Sequence, residues 1–446
     1  MRARTQLVLL LLSFVALPLF AQVAPEATGG EAPGLIDTQM MTPPPSSGTL
    51  YPNFTGAEVR SNYLSAELAV NAAYFDNVLP GATAQPVGDT TYSILPELTL
   101  NRNTPRQQIA LNYTPTIIFY EPTSTLNSFN HSASLTFQDR LSPHFAINLQ
   151  NFFTRTNNWF SSAYPSAAGG ITGTAQGPAP ALIAPFAEEM SDTAEGAFSY
   201  QFARNGMIGA GGTYSYLDYP SSDALGLFGS RGEGASAFYS RRVSSGEYIG
   251  LSYSYDRNAI GPANPPIETQ VHSFLPFYTA YFTPAFSISI SGGAQHVSED
   301  QDQPANFVQW SPAGVINMDW HGKRGDFAAS YLHTIISGEG LYGAFYSDSA
   351  NGAGGWKFSS TWSGRLAVSY TTTSAVTRVA GLTYNGGNGF TLGASLKRTI
   401  GERFSAEVGY DRLQEDYTGI PVLTENPDSD RGYITVTYEF RKPLGR

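Results

Sequence analysis

Cysteine is absent from all 446 residues. Disulfide staples, thiolate nucleophiles, cysteine metal sites and a lipidated N-terminal cysteine are therefore excluded. A thiol-free chain also suits export through an oxidising compartment, where stray thiols are a hazard. Charge is scarce: 14% of residues are Asp, Glu, Lys or Arg, against about 25% in an ordinary soluble domain. The basic residues, 25 against 36 acidic ones, leave a net charge of -11. No basic footprint for nucleic acid exists. Past residue 21 no apolar run approaches the roughly 20 residues that a membrane-spanning helix needs. With a mean hydropathy of -0.18, a helical bundle in lipid is excluded.

What the chain does have is 45 Gly, 26 Tyr and 27 Phe, and a period. Between Asn62 and Phe440 segments of about ten residues alternate apolar with polar, as where Phe286, Ile288 and Ile290 interleave with Ser287, Ser289 and Ser291. Similar sets are Ile109, Leu111, Tyr113, Ile117 and Phe119; Phe145, Ile147 and Leu149; Leu366, Val368 and Tyr370; and Ile434, Val436, Tyr438 and Phe440. A two-residue period belongs to a strand whose faces meet different media. The segments number about eighteen, with sixteen as the alternative because 338–388 is irregular. Among them are 62–75, 192–203, 206–218, 284–297, 344–360 and 431–440. Connectors alternate short and long: Leu141–Ser142, Asn205 and Ile400–Glu402 against 76–90, 156–191 and 416–430. This pattern predicts an all-β fold, a transmembrane antiparallel up-and-down β-barrel, with turns on one side of a membrane and loops on the other. A sandwich needs fewer strands, and no fixed repeat supports a solenoid or propeller. Aromatics near strand ends, including Trp159, Phe160, Tyr214, Tyr216, Tyr253, Tyr255, Tyr281, Phe282 and Trp320, fit the girdles of such a barrel at the lipid boundary.

Three regions are expected. Residues 1–21, with Arg2 and Arg4 ahead of the apolar Leu7 to Phe20 stretch and a small residue at Ala21, read as a secretory signal. Residues 22–60, rich in Pro, Gly and Ser, read as a flexible periplasmic segment too short to form a plug. Residues 61–446 form the barrel. The short N-terminal region disfavours an active plugged transporter and an autotransporter.

The segment Arg431 to Phe440 resembles the C-terminal β-signal of outer-membrane barrels, continued here through Arg441 to Arg446. The resemblance implies reading of strand 431–440 by the barrel-assembly machinery, and a porin-like outer-membrane barrel of Gram-negative bacteria. Its surroundings would be outer-membrane lipid and lipopolysaccharide, with the oligomeric state, a homo-oligomer included, left open.

A barrel of this size is wide enough for an aqueous channel. Parity places Glu67, Asn71, Glu97, Asp319, Arg365, Lys397, Glu407, Asp411 and Glu439 on the inward face as pore-lining candidates. Strands carrying Lys397, Glu407, Glu439 and Glu67 are consecutive staves once the barrel closes. At one height they form a patch of one cation and three carboxylates favouring cations; at different heights each is solvated singly. The longest connector, 156–191, resembles in position and length the inward-folded third loop of general porins. That resemblance implies an acidic constriction by Glu188, Glu189 and Asp192, with an external loop as the alternative.

Enzymatic readings are poor. His131 lies near Ser134 but at opposite parity, without an orienting partner. The stretch His296 to Asp302 lacks the spacing of a calcium loop, so a solvated acidic loop is expected, with no metal and no cofactor. The reading is thus a passive diffusion channel for small hydrophilic solutes, not an enzyme. The alternative is a non-conducting surface scaffold, adhesin or export-assembly component.

Overall fold

Alternating segments become strands because each can bury one face only by closing the sheet on itself; in lipid every backbone N–H and C=O must find a partner within the wall. A computed structural model describes residues 62–80, 83, 85–104, 106–157, 188–220, 228–261, 267–283, 285–300, 307–337, 344–376, 386–418 and 427–443. The expected signal, the periplasmic segment, and Trp159 and Phe160 lie outside the described residues.

Eighteen strands form one antiparallel sheet. The first six are β1 (Tyr63–Phe75), β2 (Asp89–Asn103), β3 (Gln107–Tyr120), β4 (Ser128–Ser142), β5 (Phe145–Thr156) and β6 (Glu189–Ala203). The next six are β7 (Gly206–Asp218), β8 (Ser230–Arg242), β9 (Glu247–Ile260), β10 (Ile267–Thr283), β11 (Phe286–Asp300) and β12 (Phe307–His321). The last six are β13 (Gly325–Ser337), β14 (Ala344–Lys357), β15 (Trp362–Ala375), β16 (Gly386–Ile400), β17 (Phe404–Thr418) and β18 (Asp428–Pro443). Each strand pairs with its neighbours in the chain, and β1 pairs with β18 to close the barrel. The irregular stretch after residue 338 holds β14, β15 and the start of β16, so the count is eighteen and not sixteen.

Period two is kept in the burial pattern. Leu64, Leu68, Val70 and Tyr74 of β1 are exposed outward, while Ser65, Asn71, Ala73 and Phe75 are buried. The same holds for Leu366, Val368 and Tyr370 of β15, and for Ile434, Val436 and Phe440 of β18. Exposed apolar side chains on a continuous outer face have no solvent but lipid.

Aromatic residues edge that face. At the short-turn end Trp320 stacks on Trp356 with centroids 6.1 Å apart, and Phe404 meets Tyr438 at 5.0 Å. Towards the other end Tyr255, His272, His296 and Trp310 adjoin across four strands, with centroid spacings of 4.9, 6.0 and 4.9 Å. On β10 the chain advances nine residues from His272 to Tyr281. At about 3.4 Å per residue and a tilt of about 40° this spans about 23 Å, the height of an apolar membrane band.

The short turns are tight. Gly401, at φ 68° between β16 and β17, takes the left-handed conformation that side-chain-bearing residues avoid. Prolines inside strands interrupt the ladders locally. Between β2 and β3 pairing lapses after Ile94–Ile117, where Pro96 and Pro115 face each other by register, and resumes at Leu98–Tyr113.

Candidate lumenal site

The inward face carries Ser, Thr, Asn, Gln and most of the wall's carboxylates. Glu67, Asn71, Glu97, Asp319, Arg365, Lys397, Glu407, Asp411 and Glu439 all take inward parity, opposite to the exposed apolar residues of their strands.

The register decides which of them meet. Glu67 stands opposite Glu439 on β18 and opposite Glu97 on β2. Three carboxylates therefore occupy one row across three adjacent strands. Directly opposed residues have Cβ atoms about 5 Å apart, so like charges there repel. The row is held by polar neighbours. Asn112 Nδ2 donates to Glu97 at 2.5 Å and Thr99 Oγ1 donates to it at 3.0 Å. Arg441 lies 2.5 Å from Glu439, and Ser65 Oγ donates to Glu439 at 3.4 Å.

Lys397 and Glu407 are opposite one another, but Glu407 is in register with Thr435, four residues along β18 from Glu439. At about 3.3 Å per residue this offset is about 13 Å along the strand. The four-stave patch is thus staggered. Glu97 joins Glu67 and Glu439 in one row; the Lys397–Glu407 pair stands four residues along the strands, also near the short-turn end, and the Lys397 charge still acts on Glu67. Above them Asp411 pairs with Arg431 at 3.4 Å, and the guanidinium lies over Tyr433 at 4.9 Å and Phe75 at 5.5 Å. Asn71 Nδ2 donates to Thr435 Oγ1 at 2.7 Å. Arg365 pairs by register with Ser395, and Asp319 with Ser287.

The expected acidic constriction is corrected in placement. Strand β6 begins at Glu189, earlier than the 192 read from the sequence, so Glu189 and Asp192 belong to the wall and Glu188 directly precedes it. Asp192 lies opposite Phe153 and accepts from Asn151 Nδ2 at 2.7 Å on the outward face. Glu188 pairs outward with Arg155 at 2.5 Å. Only Glu189 of the three has inward parity. Most of the connector between β5 and β6 lies outside the described residues.

Further inward acids escaped the sequence reading: Glu195 on β6, Asp256 on β9 and Asp326 on β13 share parity with buried Ser199, Ser254 and Leu332 respectively. Strict parity counting from those neighbours would have found them. The stretch expected as a loop from His296 is strand to residue 300, with His296 outward and Glu299 inward. His131 accepts or donates at 3.0 Å with the Tyr113 hydroxyl on the outer face, opposite in parity to Ser134. Among the described residues no group of three His, Asp or Glu is placed to hold a metal.

Beyond the upper aromatics the outer face bears ion pairs: Arg155–Glu188 and Arg257–Glu268, each at 2.5 Å, and Arg412–Asp430 at 2.8 Å. Such groups belong in headgroups and water, not in hydrocarbon. Closed wall, apolar outer band, aromatic rims and polar interior define the class: a transmembrane β-barrel of the outer-membrane type.

No protein-family model matches the chain, and no curated protein matches it in sequence. Among solved structures it is similar to OccK2 (OpdF) of Pseudomonas aeruginosa in complex with glucuronate. That match has 9% identity and a TM-score of 0.40, covering 85% of this chain and 98% of that one. OpdQ of Pseudomonas aeruginosa matches at 9% identity and a TM-score of 0.40, over 86% of this chain and 100% of that one. A BenF-like porin from Pseudomonas fluorescens Pf-5 matches at 10% identity and a TM-score of 0.40, over 85% and 99%. Likeness at this level says nothing of what this chain passes or binds.

Proposed function

We propose that the protein is a bacterial outer-membrane channel for passive diffusion of small hydrophilic solutes, with a preference for cations. The observation that carries this reading is the row Glu439–Glu67–Glu97 on the inward wall. A barrel wall gains no stability from opposed carboxylates. Glu67 and Glu439, partly exposed on that face, gather counter-ions from a water-filled lumen and raise local cation concentration, with the buried Glu97 beside them. The outward ion pairs and aromatic rims fit lipid and lipopolysaccharide headgroups. Strand β18 is the segment offered to the barrel-assembly machinery, and residues 1–60 supply export and a periplasmic segment.

The test is a planar bilayer holding the refolded protein under a KCl gradient. A reversal potential of the sign given by K⁺ permeation is expected, with swelling of liposomes in small sugars. An anion-selective potential sinks the cation preference. Neither current nor swelling replaces the channel with the surface-scaffold or export-assembly reading.

A further inference from the structure

The wall is not continuous to its outer rim. Between β12 and β13 the ladder ends at Gly314–His333, although β12 runs on to Phe307 and β13 to Ser337. Continued register would set Ile335 opposite Pro312, and proline brings no N–H to a ladder. The lapses at Pro96 and at Pro276 are local: pairing resumes beyond each. Above Pro312 it does not resume.

The backbone that leaves β12 is satisfied from inside the barrel. The Ile335 N–H donates to Gln295 Oε1 at 3.1 Å. Gln295 Nε2 donates to Thr334 Oγ1 at 2.7 Å and to Ser273 Oγ at 3.2 Å. Gln295 is a buried, inward residue of β11, with all of β12 between it and β13. Ile335 and Ala344 are buried against Val271 and Val297, from the inward faces of β10 and β11, with Tyr346 packed beside them.

Parity makes the geometry plain. Ile335 shares a strand face with Tyr331, which is 42% exposed on the outer surface lower down. Higher up that same face lies on the inner side of β10 and β11. The outer ends of β13 and β14 have therefore slipped inside the wall, so that two thicknesses of sheet overlap. Phe345 and Ser347, on the hairpin's other face, are buried as well.

We infer that this overlap narrows the outer mouth and sets the size limit on solutes, with Gln295 as the positioning residue that holds β13 inside. The inference rests on the channel reading. The Gln295 carbonyl takes the Ile335 N–H in place of the Pro312 carbonyl. Its NH₂ holds Thr334, whose hydroxyl donates to the Ile335 carbonyl at 3.5 Å where Pro312 brings no N–H, and an apolar contact seals the lap.

The test compares unitary conductance and liposome swelling in sugars of graded size for wild type, Gln295→Leu and Pro312→Thr. Gln295→Leu keeps the volume but removes all three bonds. Pro312→Thr leaves the residues of the overlap unchanged and restores an N–H that draws β13 back to β12. Higher conductance and entry of sugars that wild type excludes are expected of both. If both keep the wild-type conductance and exclusion limit, the inference falls and the channel reading stands. A wild type carrying no current overturns the channel reading, and with it the size-limit role. The Cys-free chain allows an independent check of seating. A short bifunctional thiol reagent should join Val297→Cys to Ile335→Cys; joining Pro312→Cys to Ile335→Cys instead refutes the overlap whatever the conductance.

Discussion

Glu67 stands directly opposite Glu439 at the seam where the first strand meets the last. Replacing Glu67 by Gln removes the middle charge of the row. The reversal potential under a KCl gradient should move towards zero. Stability should hold or rise by about 0.2–1 kcal/mol, the scale of a relieved cross-strand repulsion. An unchanged potential would show that the row does not face permeating ions.

Lys397 is the cation opposite Glu407. Lys397→Ala leaves that carboxylate without its cross-strand counter-charge. Cation preference should increase, read as a larger reversal potential of the same sign. A fall would place Lys397 away from the ion path.

Asp411 and Arg431 are different in kind, with side chains 9% and 20% exposed. Asp411→Ala removes the carboxylate partner of a largely buried guanidinium. A loss of about 1–3 kcal/mol is expected in urea unfolding from lipid vesicles, followed by tryptophan fluorescence. The control is Glu188→Ala, whose partner Arg155 is 47% exposed. Solvent screening holds that pair below about 1 kcal/mol. Equal losses for the two would contradict the assignment of inner and outer faces.

Leu366 points outward in the middle of β15 and its neighbour Ala367 inward. Leu366→Arg should cost about 2–4 kcal/mol, the penalty of a cation near the bilayer midplane. Ser369→Arg, inward on the same strand, should cost far less and alter conductance instead. The same urea series in vesicles of fixed lipid composition measures both.

Strand count and facing were legible because lipid and water leave a two-residue imprint on every segment. Glu67, Lys397 and Asp411 could be turned inward from their own neighbours. What parity does not carry is stagger. Whether Glu407 meets Glu439 depends on how far β17 slides along β18, and no residue in either strand announces the four-residue offset. The placement of Glu188 and Asp192 failed for a related reason: Asp192, Ala194 and Gly196 occupy the outward positions at the start of β6 and carry no strong apolar signal. Pro312 stands within the sequence of β12. Its consequence was not legible, because the partner that answers it, Gln295, lies two strands away from Ile335 and belongs to another hairpin.

The seam between β1 and β18 also governs the order of assembly. Ser65 and Glu439 are hydrogen-bonded across 374 positions of chain. Every other ladder joins sequence neighbours and can zip locally, but this one waits for the last strand. Until then the nascent wall keeps two raw edges, open to mispairing and to other chains. Deleting β18 should therefore abolish the barrel rather than leave a seventeen-stranded remnant, and its last-made residues decide whether any of the earlier ones stay folded.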